Sequence, residues 1–355
     1  RQHDKGFEKL YGVSALLKYN LINNIKFNDI NCNANPTDIF FIYGGANGLA
    51  FKVKCKNNYI YTVKILKEMS QLYMGENALR PEYRQSNKNA VLEEFTYINR
   101  FDHPNIMKAT YYFFFEKTIN TSKYTFTVID SKNNKQIIDV ETSPNVLYKW
   151  ICNYLSLCHS SIKKLNEYKK GTGYMLKYFG GLILEFVNTS FDDIPHELYY
   201  IMTLFHDYIK GIKYMVDLQI IHKDIKPDNL MAQFNPSTQE ITGKIIDLGE
   251  ATSFSDTNIN KPFRAANQMT PSNDDLDKLR DIYRTTTAER KEIFEKYDLH
   301  CLAKSFLLFL ERHNMQNIDD DFKNLLLRCT ISKASDRPSV AEAETMIQQL
   351  IEEKL

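Results

Sequence analysis

The sequence predicts an α+β protein, with strands gathered in the first half of the chain and helices in the second. Residues 39–66 alternate β-branched and aromatic runs with glycine and asparagine turns, which reads as consecutive strands. Residues 199–217 instead form one long helix-like run, Tyr199 to Asp217. With 355 residues, 43% of them hydrophobic and 25% charged, the chain can bury a sizeable core as one large two-lobed domain or two small ones.

Taken in order, the first element is a helix. Phe7, Leu10, Val13, Leu16, Leu17 and Leu21 recur at roughly helical spacing, in an extension (residues 1–36) that closes on Asn31, Asn33, Asn35 and Pro36. Strands follow at Ile39 to Tyr43, Leu49 to Val53 and Tyr59 to Leu66, the first two joined by Gly44-Gly45-Ala46-Asn47-Gly48. Such a turn lets main-chain N–H groups approach phosphate oxygens, although Gly-Gly and Asn-Gly are also ordinary hairpin turns. A polar insertion (residues 68–87) precedes an amphipathic helix from Ala90 to Ile98. The aromatic run Tyr111 to Phe115 predicts another strand. Beyond it, residues 118–180 hold two strand-like runs, Tyr124 to Asp130 and Gln136 to Val140, joined by Ser131 to Asn134. A helix-like segment then runs from Asn145 to Tyr168. Gly181 to Val187 is a further strand, and a hairpin around Asn235-Pro236-Ser237 leads to Lys244-Ile245-Ile246-Asp247-Leu248-Gly249.

Composition narrows the partners. A formal net charge of +1 gives no reason to expect a nucleic acid or an anionic membrane surface. Cys32, Cys55, Cys152, Cys158, Cys301 and Cys329 form no Cys-x-x-Cys pair, which argues against a zinc site or disulfide framework and fits a reducing, cytoplasmic compartment. The apolar run Phe306 to Leu310 is too short to span a membrane.

One loop concentrates the chemistry. Ile221-His222-Lys223-Asp224-Ile225-Lys226-Pro227-Asp228-Asn229-Leu230 offers a proton acceptor in Asp224, a cation in Lys226 and a neutral metal ligand in Asn229. Phosphoryl transfer needs all three. A polar surface loop is the bland alternative. The order of residue types resembles the catalytic loop of eukaryotic-type protein kinases, His-Arg-Asp-Leu-Lys-Pro-x-Asn. Resemblance runs from about Phe40 to the C-terminus, interrupted by insertions.

That resemblance implies a two-lobed kinase fold: a small antiparallel sheet with one helix (residues 37–187) and a larger, mostly helical lobe (residues 188–355). The glycine turn resembles the kinase Gly-rich loop, with Gly44, Gly45 and Gly48 near the nucleotide; Tyr43 replaces its first glycine and Ala50 the valine over adenine. Tyr61-Thr62-Val63-Lys64 resembles Val-Ala-Ile-Lys. The offset from His103-Pro104-Asn105-Ile106 selects Glu94 over Glu93 as the partner of Lys64. Leu184 stands at the gatekeeper position, Glu185 and Val187 would meet adenine through their main chain, and Met231 would lie under it. Ile245-Ile246-Asp247-Leu248-Gly249 resembles the Asp-Phe-Gly strand, so Asp247 and Asn229 would hold magnesium, or manganese in its place. Asp298 would hold the backbone of the catalytic loop. The implied activity is ATP-dependent phosphorylation of a protein hydroxyl, and Lys226 favours serine or threonine.

Departures from the family leave alternatives open. Ser272 in Met269-Thr270-Pro271-Ser272 replaces a glutamate whose usual partner would be Arg337, and Arg264-Ala265 replaces Gly-Thr. Lys223 stands where arginine would bind an activation-loop phosphate, and Thr252, Ser253, Ser255 and Thr257 are the hydroxyls on offer. Residues 273–296 read as an extra charged helical insertion, and the helix that kinases carry between Glu311 and Asp321 is missing. The insertion 118–180 reads as a docking surface, a dimer contact or padding of the lobe. A nucleotide-binding pseudokinase scaffold and a small-molecule kinase of the aminoglycoside or choline type are the rival readings. Insertions on such a core also resemble secreted effector kinases, which would act in a host cytosol.

Overall fold

The computed structural model describes residues 39–44, 48–54, 60–66, 92, 94–117, 124–130, 132, 134–140, 179–254, 287–315 and 318–354. The chain is α+β and falls into two compact units. One comprises residues up to Asn99 with Lys108–Phe186; the other comprises Arg100–Met107 with Val187–Leu355.

The first unit is built on an antiparallel sheet that has seven strands among the described residues. These are β1 (Ile39–Gly44), β2 (Gly48–Lys54), β3 (Ile60–Leu66), β4 (Ala109–Lys117), β5 (Tyr124–Asp130), β6 (Lys135–Val140) and β7 (Phe179–Glu185), in the order β1-β2-β3-β7-β4-β5-β6. β-branched and aromatic residues dominate them, as a pleated, half-buried surface favours. β5 and β6, both within residues 118–180, continue this same sheet: β5 pairs with β4 from Tyr111↔Asp130 to Lys117↔Tyr124. One helix, α1 (residues 94–100), buries Phe95 and Ile98, and the Phe95 ring lies 4.3 Å from that of Tyr112 on β4.

The second unit centres on α2 (Leu198–Asp217), whose Ile201, Phe205, Tyr208, Ile212 and Met215 are fully buried at three- and four-residue spacing. Around it pack α3 (Thr287–Arg312), α4 (Asp320–Cys329) and α5 (Val340–Lys354). Phe306 on α3 knits these together, its ring 5.0 Å from Phe205, 6.1 Å from Tyr208 and 6.5 Å from Phe322 on α4. Such edge-to-face pairs add to the burial that drives the core. α4 starts where Asp319 accepts the N–H groups of Asp321 and Phe322, both at 3.1 Å.

Short strands complete the unit. β8 (Thr189–Ser190), β10 (Leu230–Asn235) and β11 (Glu240–Ile245) form a sheet in the order β11-β10-β8, and β9 (Ile220–Ile221) pairs with β12 (Thr252–Ser253). The hairpin turns where Asn235 Oδ1 accepts the Ser237 N–H at 3.0 Å. The His103-Pro104-Asn105-Ile106 turn docks along β11: Ile245 N–H donates to Asn105 O and Met107 N–H to Ile245 O, both at 2.9 Å.

Of the segment 273–296 expected to be helical, residues 287–296 are described and form the first turns of α3, with Ile293 and Phe294 in the same core as Tyr297. No glycine or proline interrupts that run to end the helix earlier. α3 ends at Arg312 and α4 begins at Asp320. The helices expected in residues 6–25 and 145–168, the insertion 68–87, and the segment with Arg264, Ala265 and Met269 to Ser272 lie outside the described residues. So do Gly45, Glu93, Ser255 and Thr257.

Candidate active site

In the first unit, strand register fixes which residues share a face. Ala50 is opposite Lys64, Lys64 is opposite Leu182, and Thr62 is opposite Leu184. Ala50, Thr62, Lys64 and Leu184 therefore lie on one face of the sheet. Gly44 and Gly48 end and begin the strands on either side of residues 45–47. Lys64 Nζ is 2.7 Å from Glu94 Oε1, and the Glu94 side chain is only 2% exposed. A buried carboxylate needs such a partner, and the pair fixes the lysine's reach. Leu184 is buried, and Glu185 is tied to Lys108 twice: its N–H donates to Lys108 O at 3.0 Å and its carboxylate accepts the Lys108 N–H at 2.6 Å.

The second unit assembles the loop. Asp224 Oδ2 accepts hydrogen bonds from Lys226 Nζ at 2.7 Å and from Asn229 Nδ2 at 3.0 Å. Asn229 Nδ2 also donates to the Asp224 carbonyl at 2.7 Å, so its amide hydrogens are committed inside the loop and its carbonyl oxygen is the atom left for a cation. Asp224 Oδ1 is buried and has no hydrogen-bond partner among the described residues. Burial would lower the Lys226 pKa, but the hydrogen bond to Asp224 and the charges of Asp224, Asp247 and Asp228 outweigh it and raise it.

Two clamps hold this geometry. The first is Asp298 on α3, buried beneath the loop, which accepts the His222 N–H at 2.7 Å and the Lys223 N–H at 3.0 Å. Burial pushes its carboxyl pKa up, against the opposing pull of His222 and those two N–H bonds. The second is His222. Its Nδ1 accepts the Asp224 N–H at 3.2 Å, so Nε2 carries the proton and donates it to Ile246 O at 3.0 Å. Ile246 N–H donates in turn to Asn229 O at 3.0 Å, which seats Asp247 next to Asn229.

Asp247 itself has φ 61° and ψ 70°, and Lys223 has φ 68°. Left-handed backbone at residues other than glycine is uncommon and is held only where the surroundings over-determine it. Both positions belong to this constellation. Met231, on β10, pairs with Ser190 and Lys244, and its carbonyl accepts the Tyr208 hydroxyl at 2.8 Å. Val187 is buried.

Other expectations fare differently. Lys223 is buried. Arg337 is buried too and donates to the Ile331 and Ser332 carbonyls, each at 2.6 Å. Thr252 is not an open hydroxyl: it is buried in β12, opposite Ile221. The sequence reading also missed the support beneath β11. Asp207 Oδ2 on α2 accepts the Gly243 N–H at 2.9 Å, and Asn105 Nδ2 donates to Gly243 O at 3.0 Å. A glycine between polar partners so far apart in sequence leaves no local signal.

The residues fit a magnesium site in kind. Asn229 and Asp247 supply oxygen donors of the sort that ion takes. Among the described residues no cluster of three or more His, Cys, Asp or Glu side chains could hold a metal alone, so most ligands would come from phosphate and water. Among them, too, no helix is long and apolar enough to cross a membrane. No protein-family model matches the chain, and no curated protein matches it.

Proposed function

We propose that the chain is a two-lobed, magnesium-dependent protein serine/threonine kinase that uses ATP as phosphoryl donor. The observation that carries the reading is Asp224, which has one carboxylate oxygen held by Lys226 and Asn229 and the other buried with no hydrogen-bond partner among the described residues. A general base needs that division: one oxygen fixes its direction, the other receives the proton.

Asp224 Oδ1 orients the acceptor hydroxyl and takes its proton as the bond from hydroxyl oxygen to γ-phosphorus forms and the bond to the ADP oxygen breaks. Lys226, held protonated by its acidic neighbours, steadies the charge on the transferring group. Asn229 and Asp247 would hold magnesium, which when bound offsets phosphate charge. Lys64, fixed by Glu94, is the cation assigned to the α- and β-phosphates. Positioning and electrostatics supply most of the acceleration.

The test is transfer of labelled γ-phosphate, with magnesium, to the protein itself and to a generic basic protein, with Asp247→Asn as control. The expected result is acid-stable phosphoserine or phosphothreonine that the control abolishes while remaining folded. Label surviving in the control would sink the assignment. No transfer by the native chain, with ATP still raising its melting temperature, would favour the scaffold reading.

A further inference from the structure

We propose that β6 is the edge through which two copies of this chain pair, antiparallel about Ile137. Among the described residues β6 ends the sheet of the first unit, since the strand order stops at β4-β5-β6. An end strand presents a row of main-chain donors and acceptors to any strand that can match it.

Two features commit the edge to a second copy. The cross-strand row Phe114↔Thr127↔Ile137 is buried at Thr127, yet Ile137 is 57% exposed. An isoleucine left open at the end of a row is completed by another apolar residue across the edge. The sequence around it, Lys135-Gln136-Ile137-Ile138-Asp139, is also complementary to itself. A twofold axis through Ile137 sets Ile137 opposite its own copy, and Lys135 opposite Asp139 of the second molecule, twice. Opposite charges directly across an antiparallel pair stabilise it, and an isologous contact uses each pairing twice. A lysine on an edge ordinarily deters pairing. Here a carboxylate at the matching register position turns the deterrent into a selector for the chain's own strand.

Six residues of strand span about 20 Å. Such a contact is smaller than a standard stable interface, so the dimer is expected at roughly micromolar concentrations or above. Sedimentation velocity of the full chain over about 1–100 µM reads it directly. The expected result is a concentration-dependent dimer. Lys135→Asp and Asp139→Lys should each raise its Kd about tenfold or more, because every change acts twice. Lys135→Asp combined with Asp139→Lys should restore it, with circular dichroism unchanged throughout. A monomer over the whole range overturns the proposal, and so does a dimer indifferent to the single changes or one that the double exchange leaves dissociated. None of these readouts depends on catalysis.

Discussion

Asp298 accepts the His222 main-chain N–H at 2.7 Å across 76 residues of sequence, and so ties α3 to the loop that carries Asp224. The same carboxylate takes the Lys223 N–H. Asp298→Asn keeps the shape but has a single acceptor oxygen, so its amide hydrogens would face one of the two N–H groups. An unmet buried bond costs about 1–3 kcal/mol. Phosphate transfer should fall about tenfold or more while the far-ultraviolet spectrum stays native, as a rate assay beside circular dichroism would show.

Lys64 and Glu94 offer a separable test of charge and chemistry. Lys64→Met takes from a carboxylate that is 2% exposed the ammonium 2.7 Å away, a change expected to destabilise by about 3–5 kcal/mol. Lys64→Met with Glu94→Gln removes both charges, so urea unfolding should recover much of that loss. Transfer activity should stay absent in both. Recovery of activity in the double variant would rule out a phosphate-binding role for Lys64.

Gly243 is predicted to resist any side chain. A Cβ there would lie 2.9 Å from Tyr208 Cε1 and 3.1 Å from Asp207 Cβ. Tyr208 cannot swing aside easily, because its hydroxyl is bound to the Met231 carbonyl. Gly243→Ala should therefore cost about 1–3 kcal/mol in denaturant unfolding.

Acid should reveal the Lys354–Asp319 pair. The hydrogen bond from Lys354 holds the Asp319 carboxyl below the usual carboxylate range. A depressed folded pKa contributes stability above the unfolded value, which is lost as pH falls through the folded one. The melting-temperature gap between native protein and Lys354→Met should be open near neutral pH and narrow as pH falls below the ordinary carboxylate range. A gap that persists in acid would show that the lysine acts through packing alone.

The loop of Asp224 was legible because Asp224, Lys226 and Asn229 lie within six residues and local hydrogen bonds join them. Runs of β-branched and aromatic residues bounded by turn residues likewise marked β1 to β7, and such runs are visible without knowledge of partners. The long-range supports were not legible. Nothing near Gly243 announces Asp207, and nothing near Thr252 announces that a two-residue strand pairs it with Ile221 and that the residue is buried there. The first turns of α3 were legible as helix, but their charge hid that Ile293 and Phe294 are buried in the same core as Tyr297.

The left-handed backbone at Lys223 and Asp247 limits how far this protein can be made heat-resistant. Replacing residues at positive φ by glycine relieves strain and is a common engineering choice. A campaign that ranked positions by backbone geometry alone would put these two near the top. At Asp247 the gain in melting temperature would erase the carboxylate proposed to hold the metal, so the screen would select a sturdier protein that lacks that ligand.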